Sequence, residues 1–139
     1  MATRRARTTW WVLLLLAFLS VFPVATAAIS QANAAADPVG ACWSAPLPDG
    51  VEPHDNTLRT VSVTQMPVGL RCDWEAADVQ TGWPVTIAAL AGTVVCVGAT
   101  IFALRQRGGA HRFVSLLPLI SIAIMWIAIW MNRLQVIID

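Results

Sequence analysis

Three stretches of the chain are apolar almost without interruption, and the polar residues gather between them. The stretches run from Trp10 to Ile29, from Trp83 to Leu104 and from Phe113 to Met131, each near twenty residues long. A helix rising about 1.5 Å per residue crosses a hydrocarbon core about 30 Å thick in such a length. The pattern predicts transmembrane helices over 10–29, 83–104 and 113–131. Pro84 falls in the first turn of the second, where its missing N–H costs little, and Pro118 predicts a kink in the third. Residues 30–82 are polar by contrast. Pro38, Pro46, Pro48 and Pro53 exclude a long helix from their first half, and Pro48-Asp49-Gly50 signals a turn. Leu58 to Gln65 alternates and is rich in β-branched residues, which predicts a strand. A second strand over Leu70–Trp74 follows a turn at Pro67–Gly69 and pairs with the first as a small hairpin.

The first apolar stretch has a second reading. Arg4, Arg5 and Arg7 precede it with no acid among them, as in a secretory signal peptide. Ala25-Thr26-Ala27 and Ala32-Asn33-Ala34 both match the small-x-small pattern of a cleavage site, and Pro23 shortens the strongly apolar part. The chain is therefore expected to keep three spans, or two if residues 1–34 are cleaved. Either way the following segment leaves the cytoplasm.

Charge fixes the expected orientation. Only 12% of the 139 residues are charged, about half the fraction of a soluble domain. The net charge of +1 conceals a separation. The N-terminus (1–9) and the turn 105–112 together carry Arg4, Arg5, Arg7, Arg105, Arg107 and Arg112 and no acid, whereas residues 30–82 carry seven acids against Arg59 and Arg71. Cytoplasmic loops are enriched in basic residues. Residues 1–9 and 105–112 are thus expected in the cytoplasm, with the loop 30–82 and the tail 132–139 on the exoplasmic side of the plasma membrane. Trp83 and Trp130 then fall at the outer interface and Trp10 and Trp11 at the inner one, where indoles are favoured.

Cys42 and Cys72 share the exoplasmic segment, where thiols oxidise and have only each other. Their pairing is expected, and Trp43 and Trp74 are placed to pack over the bridge. Val39-Gly40-Ala41-Cys42 has the form of a lipobox, but twelve residues separate Ile29, the end of the apolar stretch, from Cys42, and lipidation would strand Cys72. In the second span Ala88, Gly92, Cys96 and Thr100 recur every fourth residue, a small-residue stripe that lets helices approach closely. It is expected to face the third span or a second copy of the chain, with Cys96 as a packing residue rather than a ligand. His54 with Glu52 and Asp55 has the residue types of a weak metal site, but such a group is common on an acidic turn. His111 sits among arginines at the headgroup level.

No Asp, Glu, Arg or His lies inside a span, which disfavours a carrier or proton relay. The chain has no glycine-rich phosphate loop, HExxH or CxxC, so no cofactor or metal is expected. Nucleic acid is excluded as a partner because the basic residues are few and lie against the membrane. The expected partners are the lipid bilayer and another membrane protein, or a second copy, engaged through the second span.

Thr60 to Trp74 (TVSVTQMPVGLRCDW), followed by a span at Trp83, resembles small actinobacterial membrane proteins of unknown function. The likeness rests on the element Pro67-Val68-Gly69-Leu70-Arg71-Cys72-Asp73-Trp74 and covers about residues 58–104. It implies a plasma-membrane location and no activity. The expected function is that of a non-enzymatic accessory or interaction subunit presenting an acidic, disulfide-closed loop. Two alternatives stand beside it. One is a subunit of a transport or envelope-assembly system whose active residues lie in a partner; the other is a membrane enzyme with an interfacial site near His54.

The topology is testable by cysteine substitution. Asn56→Cys is expected to react with a membrane-impermeant thiol reagent in intact cells and Gly108→Cys to be protected; labelling at position 108 would reverse the assignment.

Overall fold

In the computed structural model, the chain is described over residues 2–47, 58–75, 77–106, 112–132 and 135–137. Three helical stretches are long and apolar enough to cross a membrane: Thr8–Ala36, Trp83–Arg105 and Arg112–Met131. The first is built from helices α1 (Ala2–Leu19) and α2 (Val21–Ala36), which meet at Ser20. Pro23 explains the break, since it has no N–H to offer the carbonyl of Leu19, four residues back. The Ser20 hydroxyl donates to the Ala17 carbonyl at 2.7 Å. After α2 comes a short helix α3 (Pro38–Ser44), capped by Asp37, whose carboxylate accepts from the Gly40 N–H at 3.0 Å, with Pro38 in the first turn. Then follow β1 (Leu58–Thr64), β2 (Gly69–Trp74), β3 (Asp78–Gln80), α4 (Trp83–Gln106), α5 (Arg112–Met131) and β4 (Gln135–Ile137).

The hairpin lies where the alternation places it, with Val61 opposite Cys72 and Val63 opposite Leu70. Two further strands extend it into an antiparallel sheet of order β3-β2-β1-β4. Residues 30–36, expected in the loop, instead continue the first helix. Their sequence, SQANAAA, is mostly alanine, the best helix former, and Pro38 ends the run only after Ala36. The tail is likewise more than a tail, because Gln135, Val136 and Ile137 pair with Ser62, Val61 and Thr60.

The chain forms two compact units, residues 1–26 with 88–126, and residues 27–87 with 127–139. The first is helical. Trp10 is buried with Leu14 and Ala103, and its indole donates to the Ser115 hydroxyl at 3.3 Å. The Trp126 indole donates to Thr93 Oγ1 at 3.0 Å, and that hydroxyl donates in turn to the Ala89 carbonyl. Both indoles thus find a hydroxyl on a neighbouring helix.

The small-residue stripe of α4 is buried at Gly92, Cys96 and Thr100, but Ala88 is exposed and Ala89 takes its place inside. The helix rotates about 100° per residue, so a strict four-residue repeat drifts off the contact face by its first position. At Gly92 the stripe meets the break in the first helix rather than the third span. A Cβ on Gly92 would lie 2.6 Å from the Ser20 carbonyl oxygen and 3.3 Å from the Pro23 ring. Gly98, on the same helix, has nothing within 4 Å of such an atom.

The two glycines should therefore respond oppositely. Gly92→Ala is expected to destabilise by about 1–3 kcal/mol, as overpacking of a closed contact does, and Gly92→Leu by more. Gly98→Ala should be neutral or stabilise by up to about 1 kcal/mol through helix propensity. Thermal unfolding in detergent distinguishes the two. Equal responses would mean that α4 does not meet the Ser20–Pro23 break.

Candidate functional site

The second unit surrounds the Cys42–Cys72 disulfide, whose Cα atoms are 5.9 Å apart. α3 supplies one sulfur and the centre of β2 the other. Cys72 points inward with Leu70 and Trp74, because alternate residues of a strand share a face. Leu58, Val61 and Val63 of β1 fill the same side, and Ala34, Ala35, Val39 and Ala41 close over it. This core is larger than the few bulky residues of the loop suggest, since the end of α2 and the whole of α3 contribute to it. Trp43 and Trp74 pack edge to face, their ring centroids 4.8 Å apart, against the same cluster as the bridge. Both cysteines are shielded, at 1% and 0% exposure. Thiol–disulfide exchange needs a thiolate to reach a sulfur, so this bond is structural rather than a redox centre. The Cys42 sulfur is engaged in the bridge and is not a lipid attachment site.

The other face of the sheet is polar, and both of its arginines are paired. Arg59 pairs with Glu75 at 3.2 Å and Arg71 with Asp78 at 2.6 Å. The Thr60 hydroxyl donates to Asp73 at 3.1 Å. The hydrogen bond from Arg71 holds the Asp78 carboxyl below the usual carboxylate range, with a smaller contribution from Asp73. Both ion pairs are solvent-exposed, and pairs of that kind contribute little to stability.

Two backbone approaches fasten β2 to the start of α4. Gly82 adopts φ +93°, a conformation few side chains tolerate, and a Cβ there would collide with the Val68 carbonyl. A Cβ on Gly69 would lie 2.5 Å from the Thr81 carbonyl oxygen. The Thr86 hydroxyl accepts from the Val68 N–H at 2.7 Å and donates to the Gly82 carbonyl at 2.8 Å. Thr81 reciprocates with Leu70: its hydroxyl accepts from the Leu70 N–H, and its own N–H donates to the Leu70 carbonyl. Gln80 reaches Thr64 Oγ1 at 2.9 Å, and Gln31, from α2, donates to the Thr64 carbonyl at 3.1 Å. Gln31 is 1% exposed. A polar residue so buried holds its place through such a bond.

Of the residues singled out from sequence, the structure joins Cys42 to Cys72 and buries Gly92, Cys96 and Thr100 in α4. Cys96 is a free, buried thiol. The group Glu52, His54 and Asp55 and the second histidine, His111, lie outside the described residues. Among the described residues no three His, Cys, Asp or Glu side chains gather in a way that could hold a metal. Gln31 and Thr86 escaped the sequence reading. Their one signal was a polar side chain inside or beside a helical run, and the sequence does not say which strand each meets. No family model, curated protein or solved structure matches the chain.

Breaking the bridge should loosen this unit. Cys42→Ser and Cys72→Ser are each expected to lower stability by about 2–5 kcal/mol, and the double variant no further, because both remove the same bond. Limited proteolysis reports the loosening, and intact mass after alkylation without reductant reports the bond. A Cys72→Ser protein as protease-resistant as the parent would show that the sheet does not depend on it.

Proposed function

We propose that the chain is a non-enzymatic, multi-pass protein of the plasma membrane that acts as an accessory or interaction subunit, with the disulfide-closed sheet as its exoplasmic presenting surface. The observation that carries this reading is the convergence of three chain segments on one sheet. The end of α2 with α3, the hairpin with β3, and β4 from beyond α5 are all held in it. A surface built on a cross-linked sheet keeps its shape, which suits recognition. Its matched ion pairs give it a fixed polar pattern rather than a reactive group.

The β1–β4 pairing supports the topology. Two helices, α4 and α5, separate the paired strands, so the loop and the tail belong on the same side of the membrane. The six arginines of residues 1–9 and 105–112, with no acid among them, favour the exoplasmic face for that side. The retention of residues 1–34 is part of the same reading. Both candidate cleavage tripeptides lie within α2; Ala27 is fully buried, Ala34 packs on the sheet core, and Gln31 bonds to β1. Removing this segment would strip one wall from the sheet.

Gentle-detergent purification tests the role. The parent is expected to elute in a stable complex with another membrane protein, and Cys72→Ser to lose that complex while keeping its place in the membrane. A parent that runs alone would overturn the interaction role.

A further inference from the structure

We propose that the groove between the end of α4 and the start of α5 is a binding site for the headgroup of an anionic phospholipid. The groove has a volume of about 350 Å³ and is lined by Ile101, Leu104, Arg105 and Arg112. Arg105 belongs to the last turn of α4 and Arg112 opens α5. Two guanidinium-bearing side chains from different helices thus flank one apolar floor.

The charge at this place is unbalanced. Among the described residues neither arginine has a carboxylate partner, in contrast to Arg59 and Arg71. The first turn of α5 holds no acidic residue, so a cation begins a helix whose dipole already makes that end positive. A phosphate between the two arginines offsets this, and the planar guanidinium suits phosphate oxygens.

The surroundings specify a lipid among phosphate-bearing ligands. Ile101 of its lining is exposed, and so are Phe102, Phe113 and Leu117 on the same two helices, Phe113 at 81%. A ligand with an anionic head and long apolar tails covers both the arginines and such apolar side chains. A soluble phosphate covers only the first. The site rests on the reading that the three helices lie in a bilayer, with Arg105 and Arg112 at one headgroup level.

The experiment uses the full chain. After reconstitution in nanodiscs to establish that it enters a bilayer, the protein in mild detergent is titrated with phosphatidylglycerol or phosphatidylcholine, and bound lipid is counted by native mass spectrometry. Phosphatidylglycerol is expected to be retained preferentially. Near a membrane surface each basic residue is worth about a fivefold change in affinity, so Arg105→Gln with Arg112→Gln should weaken retention about thirtyfold. The double Lys variant should stay within a few-fold of the parent, and Arg59→Gln should match it. Both arginines are exposed, so the lipid-free unfolding midpoint should not move. Equal retention of phosphatidylcholine, or full retention by the double Gln variant, overturns the site. Displacement of the lipid by millimolar inorganic phosphate would reassign it to a free anion. Failure to enter nanodiscs would overturn the membrane reading along with it.

Discussion

The bond between Cys42 and Cys72 is the constraint on which the second unit depends. It joins a seven-residue helix to the middle of a six-residue strand across 30 positions of sequence. On the chain-entropy view, closing such a loop removes about 3–4 kcal/mol of freedom from the unfolded chain. Neither element would hold alone. A helix of seven residues is far below the length that is stable in water, and a two-stranded hairpin is marginal at best. Joined, they bring Val39, Ala41 and Trp43 onto the core that holds Cys72, with Val61 and Val79 beside it on the flanking strands. The apolar face of the sheet then closes under α3 and the end of α2.

Backbone contact does for the other edge of the hairpin what the disulfide does for its centre. Gly69 and Gly82 let the chain before β2 lie against the chain before α4 with no side chain between them. The bonds of Thr81 and Thr86 then satisfy N–H groups that a turn would otherwise leave bare in a buried place. The close approach and the hydrogen bonds need each other. A larger residue at either glycine would open the gap, and the hydroxyls would no longer span it.

What was legible in the sequence was what local pattern encodes. The alternation of LRTVSVT, the Pro67–Gly69 turn and the three apolar stretches each carry their own signal. The pairing of Cys42 with Cys72 followed because no other thiol lies in the polar segment. The strands β3 and β4 have three residues each and no signal of their own; they exist because the hairpin offers them an edge. The outer strands of a sheet are often short for this reason, and short edges also resist pairing with other chains. The partner of the small stripe was hidden for a different cause. A four-residue repeat identifies a face but not what meets it. Here the contact is set by Pro23, which bends the first helix at the level of Gly92.

The first helical stretch is longer than a bilayer's hydrocarbon core requires. Thr8–Ala36 spans 29 residues, about 43 Å at helical rise, while the hydrocarbon core of a bilayer is about 30 Å thick. Tilt and headgroups accommodate part of the excess, but the sequence shows where the rest goes. Apolar character ends at Ile29, and Ser30, Gln31 and Asn33 follow it without interrupting the helix. Gln31 turns inward to the Thr64 carbonyl, and Ala34 and Ala35 turn to the sheet core. The stretch, broken once at Ser20, therefore serves two surroundings. Its first part presents Leu15, Leu19, Phe22 and Ile29 outward, as a lipid-facing surface does. Its last part presents small residues to a sheet. The small-residue composition that resembles a cleavage region is the composition such a wall requires, because alanine lets a helix approach a twisted sheet without holding it off.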